Sequence, residues 1–187
     1  LEFYDVVKKR RSIRKYKPEA VPRDVILKVL DAACWAPSGM NLQQWEFIVV
    51  SGGKKEQLGE PYAKAIEKMG HDWSEEQRKT ALAAARKFNW APHVIIALAP
   101  KADNPFMQKM HVESVSAAFE NLLLAACAEG LGTCWAMGPL LEEGAIRSIL
   151  GIPPDKEIVA ITPLGYPDME PPAPPRKDLN SKVTWME

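Results

Sequence analysis

HVESVSAAFENLLLAACAEGLG, residues 111–132, is the most apolar stretch of the chain. Val112, Val115, Phe119, Leu122 and Ala126 recur every three or four residues, with Leu123, Leu124 and Ala125 beside them. That spacing predicts a helix with little polar surface in its second half, hence one buried on most sides. Gly130-Leu131-Gly132 ends it. A helix so covered needs other elements around it, and the flanking sequence supplies them. Trp45 to Val50 is β-branched and aromatic, ended by Gly52-Gly53, and reads as a strand. Val94 to Leu98 is a continuous apolar run, which suits a strand buried on both faces. Thr133 to Met137 is a candidate strand, and 158–164 another. Helices are expected near Phe3, Val6 and Val7, from Pro22 through Ile26, Val29, Leu30 and Ala33, and over 54–69, 75–89 and 141–150. No repeat of 20–50 residues is present.

The 187 residues are expected to form one domain over 1–187. Apolar residues make up 47% and charged ones 26%, an ordinary globular composition. Twenty-four Lys and Arg against 24 Asp and Glu leave a formal charge of zero, which argues against a surface built wholly for nucleic acid or an anionic membrane. The longest clean apolar run, Val94 to Ala99, is far too short to span a bilayer. Leu1 to Asp5 shows no signal peptide, although the chain starts without Met. Cys34, Cys127 and Cys134 are odd in number without CxxC spacing, so reduced thiols and a cytoplasmic setting are expected. From Asp168 the composition changes. Pro171, Pro172, Pro174 and Pro175 impose an extended path, so 168–187 reads as a C-terminal arm able to reach a partner.

The densest chemical signal is Lys8-Lys9-Arg10-Arg11-Ser12-Ile13-Arg14-Lys15-Tyr16-Lys17, with seven cations in ten residues. Guanidinium forks beside a hydroxyl at a helix end suit a terminal phosphate. A solvated basic face and a nucleic-acid patch are the alternatives. The second signal is Ala36-Pro37-Ser38-Gly39-Met40-Asn41, running into Leu42-Gln43-Gln44-Trp45. It offers backbone N–H groups, a hydroxyl and amides to a planar ligand, or is an ordinary connection in which Asn41 caps a turn. Other templates fail. Gly130-x-Gly132 follows a helix and lacks a third glycine; GxxxxGK, GxSxG and HExxH are absent. His71, His93 and His111 are scattered and read as structural, so no metal is expected. Glu142-Glu143 suits a helix start, where acids favour the dipole. Pro171-x-x-Pro174-x-Arg176 fits an SH3 ligand, a common chance match.

Together these residues resemble the FMN-dependent nitroreductase family, including its iodotyrosine-deiodinase branch. The resemblance runs from Phe3 to Trp185 and rests on Arg10-Arg11-Ser12-Ile13-Arg14, Ala36-Pro37-Ser38-Gly39 and Gln44-Trp45. Ala91-Pro92, Gly138-Pro139, Leu164-Gly165-Tyr166-Pro167 and Pro175-Arg176-Lys177 extend it. It implies an α+β fold, a central, mostly antiparallel sheet flanked by helices. It also implies an intertwined homodimer with arm exchange and two FMN sites in the interface. Arg10, Ser12 and Arg14 would hold the phosphate and ribityl, Arg11 the polar edge of the ring, and Arg176 would close the phosphate site. Pro37, Ser38, Gly39, Met40 and Asn41 would come from the opposite subunit, while Met137, Gly138 and Pro139 would lie along the isoalloxazine. The resemblance implies ping-pong transfer from NADH or NADPH, through the flavin, to a nitroaromatic, quinone or similar planar acceptor. No protein acid or base is then needed, and neither nucleic acid nor membrane is an expected partner. Residues 60–90 would form a lid. The deiodinase branch grips an amino-acid zwitterion with a lid Glu and Tyr and a distant Lys. Pro61 and Ala65 stand at the first two positions here, with Arg86 for the Lys, so halotyrosine recognition is not expected. Reductive dehalogenation, a flavin-consuming reaction and RNA binding by the basic run are the alternative functions.

Overall fold

The computed structural model describes residues 2–70 and 72–187; His71, expected to be structural, lies outside the described residues. Four strands, β1 (Glu46–Ser51), β2 (His93–Pro100), β3 (Gly132–Thr133) and β4 (Lys156–Gly165), form one sheet in the order β1-β2-β4-β3. Every adjacent pair is antiparallel. The helices are α1 (Phe3–Lys9), α2 (Arg23–Cys34), α3 (Gly52–Met69), α4 (Glu75–Arg86), α5 (Pro105–Ala128) and α6 (Glu143–Leu150). This is the α+β architecture expected from the sequence.

β2 shows why its apolar run is continuous. Ile95, Ala97 and Ala99 face a core with Val29 of α2 and Phe119 and Leu122 of α5. Val94, Ile96 and Leu98 face the opposite core, with Leu58 of α3 and Ile146 of α6. A strand with helices on both sides has no polar face to alternate. On α5, Val115, Phe119, Leu122 and Ala126 are fully buried, as their spacing requires. Asn104 opens that helix, its side chain accepting from the N–H groups of Phe106 and Met107, with Pro105 in the first turn.

Several local expectations change. Of the candidate strand Thr133 to Met137, only Thr133 pairs as a strand residue, joined by Gly132. The register carries Cys134 opposite Pro163, which has no N–H to give, and the Cys134 N–H turns to the Thr162 hydroxyl at 3.0 Å. The helix expected over 75–89 stops at Arg86, and Phe88, Asn89 and Trp90 take φ of 47°, 55° and 64°. That reversal of hand puts Phe88 into the core against Tyr62, ring centroids 4.8 Å apart. Gly52 and Gly53 end β1 and also begin α3. Pro22 flanks α2, whose first residue is Arg23. On α1 only Val6 is buried, leaving Phe3 and Val7 exposed. The α3–α4 pair is tight at Gly59, where a Cβ would lie 2.0 Å from the Arg86 carbonyl oxygen.

His93 and His111 are structural, as expected. His111 Nδ1 lies 3.1 Å from the Pro100 carbonyl, and His93 Nε2 accepts the Val21 N–H at 3.2 Å. Burial pushes the His93 pKa below its ordinary 6.5. The unfolded chain therefore takes up a proton first as the pH falls, and the stability held above pH 6.5 is lost below it. Melting temperature should drop between about pH 7 and about pH 5, and drop less in His93→Gln. Identical pH profiles for the two proteins would assign that loss to other groups.

Candidate functional site

α1 ends at Lys9, and at Arg10 the backbone turns extended. Ser12 then bridges to Thr133 in parallel, the Ile13 N–H donates to Thr133 O at 2.8 Å, and the Lys17 N–H donates to Tyr166 O at 2.9 Å. The basic run is thus laid along β3 and the continuation of β4. Ile13 and Tyr16 are its buried anchors. Burial, with Cys134 nearby, pushes the Tyr16 phenol well above its usual range, so it stays protonated and donates to Ile13 O at 2.7 Å. Gly165 permits the approach, since a Cβ there would lie 2.6 Å from the Pro92 ring and 3.3 Å from Tyr16.

The arm completes the site. The Asp168 N–H donates to Lys15 O, and the Asp168 carboxylate pairs with Lys15 at 2.7 Å; the hydrogen bond from Lys15 holds that carboxyl below its ordinary pKa. From there Pro171, Pro172 and Pro174 return over the run. Arg10, Arg11, Ser12, Arg14 and Arg176 then line one cavity of about 340 Å³. Four arginines and a serine therefore line one cavity within one chain. They are only partly satisfied. Arg10 approaches Glu120 no closer than 3.9 Å, and among the described residues Arg14 and Arg176 have no carboxylate partner. Arg11 turns back, its Nη1 donating to Lys8 O at 2.6 Å and Arg10 O at 2.8 Å, while its buried Nε has no partner. In this arrangement Arg11 closes the carboxyl end of α1.

Two other predicted segments lie elsewhere in the single chain. Pro37–Asn41 is tied to the first half of α5: the Gly39 N–H donates to Ser114 Oγ at 3.1 Å, and that hydroxyl donates to Met110 O. Ser114 and Glu120, which faces Arg10, are six residues apart, about 9 Å along the helix. Met40, Asn41 and Gln43 have φ of 54°, 54° and 48°, a conformation costing about 1–3 kcal/mol at each non-glycine residue. Asn41 does take part in a turn, accepting from Gln43 Nε2 at 3.2 Å, and Met40 and Asn41 remain exposed. Met137–Pro139 follows β3: Met137 is exposed, Pro139 buried, and Gly138 lies under Met69 of α3.

Three features escaped the sequence reading. Both amide atoms of Gln44 are buried without a partner. A second cavity of about 400 Å³ adjoins the first, sharing Arg10 and Arg11 and reaching Cys127. Burial pushes the Cys127 thiol up against the opposing pull of Lys9, Arg10 and Arg11. Glu142 does not serve only the helix dipole, because it pairs with Lys68 of α3. For Glu142 and the second cavity no spacing rule gives a signal, since the residues that meet lie dozens of positions apart.

The cysteines are free, no group of His, Cys, Asp and Glu among the described residues could hold a metal, and no described helix is long and apolar enough to cross a membrane. An antiparallel sheet between helices, with an arginine cavity closed by its own C-terminal arm, defines a class that sequence comparison makes specific. The Nitroreductase family profile matches residues 7–166, and the chain belongs to that family. A Bacillus subtilis protein provisionally named NAD(P)H nitroreductase YfhC is 29% identical, over 97% of this chain and 93% of its own length. The iodotyrosine deiodinase of Thermotoga neapolitana is 30% identical, over 95% of each chain. A crystal structure of oxidized iodotyrosine deiodinase bound to FMN and 3-iodo-L-tyrosine superposes with a TM-score of 0.79 at 27% identity, covering 95% of this chain and 96% of the other.

Proposed function

We propose that the protein is an FMN-dependent oxidoreductase that takes electrons from NADH or NADPH and passes them to nitroaromatics, quinones or similar planar acceptors. The observation that carries this reading is the convergence of Arg10, Arg11, Ser12, Arg14 and Arg176 on one cavity. The residues fit FMN: the arginines and Ser12 suit a phosphate dianion, and the buried Arg11 Nε still has a hydrogen to donate. Family membership and the FMN in the deiodinase structure support the same assignment.

When bound, FMN supplies two-electron redox chemistry, in ping-pong order between a nicotinamide and an acceptor. This chain's residues do the rest. Arg10, Arg14 and Arg176 neutralise the phosphate, and Ser12 donates to it or to the ribityl. Met137, Gly138 and Pro139 would bound the ring, where the Met137 and Gly138 N–H groups are the backbone donors of that segment. Pro37–Asn41 of a second copy complete the site, which is why that loop lies apart from the arginines in one chain. The exposed Phe3, Tyr4, Trp35 and Phe106, with Trp185 on the arm, are the large apolar side chains that a second copy would cover.

Arg11 sets the charge at the flavin. Arg11→Ala should slow anaerobic flavin reduction by NAD(P)H about tenfold or more, a larger effect than the loss of its two backbone hydrogen bonds has on folding. Equal half-reaction rates in variant and wild type would remove Arg11 from that role. Reductive dehalogenation, favoured by the deiodinase relatives, is the second reading. Pro61 and Ala65 weigh against it: both are buried in the lid helix, and Arg86 is paired with Glu60 at 3.2 Å. An absorbance spectrum followed by anaerobic titration with NADH and NADPH tests the assignment. A yellow protein bleached by either donor supports the reductase. A yellow protein bleached by neither favours the dehalogenating reading, and a colourless one that refuses added FMN overturns both.

A further inference from the structure

α3 is held in two different ways along its length. Its first part is anchored by the buried Leu58, Gly59, Pro61, Ala63 and Ala65. Beyond Ala65, Ile66 still packs against Leu82 and Ala85 of α4, whereas Glu67, Lys68 and Met69 are exposed, and among the described residues two contacts tie these last residues to the turn after β3. Met69 Sδ lies against Gly138, 3.1 Å from where a Cβ would be, and Lys68 forms an ion pair with Glu142. Both contacts fall on the single 3-10 turn Gly138–Glu142. The neighbouring acid Glu143 is engaged within its own helix by Arg147 at 2.7 Å, so Glu142 alone reaches across to α3. The Glu142 side chain is 19% exposed and that of Lys68 57%, so the pair is partly open to solvent and sensitive to salt.

We propose that Lys68 and Glu142 are positioning residues: an electrostatic latch that holds the last turn of α3 against the Gly138–Glu142 turn and so sets access of the acceptor to the ring. The latch itself stands on the ion pair and the burial pattern. Its consequence for the acceptor rests on the flavin reading above. Breaking the pair frees the end of α3 without disturbing its buried half, and Met69 moves away from Gly138. Restoring opposite charges in reversed order restores the latch, because attraction depends on the product of the charges and not on their order.

The test is hydrogen exchange on the purified protein, with Glu142→Gln, Lys68→Met and the double reversal Lys68→Glu/Glu142→Lys. Amides over 66–70 and 138–142 should exchange about threefold faster in each single variant, the size expected of one partly exposed ion pair. The double reversal should return to wild-type rates, and raising salt should speed exchange in the wild type but not in the single variants. Single variants that exchange as the wild type does, or a reversal no better than the singles, overturn the latch. The acceptor consequence is read separately, as a shift in KM for a bulky quinone with the rate of reduction by NAD(P)H unchanged. An unchanged KM alongside faster exchange overturns that consequence alone. A protein that binds no FMN defeats the flavin reading but leaves the exchange result decisive for the latch.

Discussion

Arg14→Ala is expected to weaken FMN binding about 10- to 100-fold, the worth of a charge-assisted hydrogen bond to phosphate. Arg14 is the sharpest probe among the arginines. Arg11 is spent on two backbone carbonyls, and Arg10 has Glu120 at 3.9 Å to share its charge. Arg14 lines the same cavity as Arg176 and has no carboxylate partner among the described residues. Its backbone is fixed independently of its side chain, by the Ile13 N–H bond to Thr133 and by its own N–H, which lies 3.2 Å from Met169 Sδ. The substitution should therefore remove the guanidinium without moving the run. Titration of the apoprotein with FMN and with riboflavin separates the effects. Riboflavin has no phosphate, so its affinity should change little, and the preference for FMN over riboflavin should collapse. Arg14→Lys keeps the charge and loses the fork, and should fall between wild type and alanine. An equal loss for both flavins would place Arg14 elsewhere than at the phosphate.

Phe119→Ala should destabilise the fold by about 3–5 kcal/mol, the cost of truncating a fully buried aromatic side chain. Phe119 is fully buried on α5 and packs edge-on against Trp135, ring centroids 4.8 Å apart at 70°. The side chain lies in the core that joins α2, α5 and β2, where neighbouring elements cannot all collapse into the space left. At about 2–4 °C per kcal/mol for a chain of this size, melting should fall by roughly 10 °C. Phe119→Leu, which keeps much of the volume, should cost far less. Because Trp135 loses its partner two residues before Met137, the alanine variant should also change the near-ultraviolet circular dichroism of that region. A loss below about 1 kcal/mol would mean that α5 is not the centre of the core.

The periodicity of Val115, Phe119, Leu122 and Ala126, and the unbroken run from Val94 to Leu98, are local records of burial on many sides, and both elements follow from them. The motifs of the basic run and the proline arm were legible for the same reason: residue type and spacing within a dozen positions are enough to state a chemistry. That Arg176 shares a cavity with Arg10, Arg11, Ser12 and Arg14 depends on the arm turning at Asp168, over 150 residues from the run. The short β3 was equally hidden, because the residue that interrupts its pairing is Pro163, on a different strand. Glu142 reads as a helix-start acid until α3 brings Lys68 beside it. By itself the sequence determined the long helices, the strands β1, β2 and β4 and the place of the basic run, since backbone periodicity and residue chemistry act over a few neighbours. Only the tertiary structure decided which side chains meet, because a contact between distant residues is set by how the buried faces of separate elements pack together.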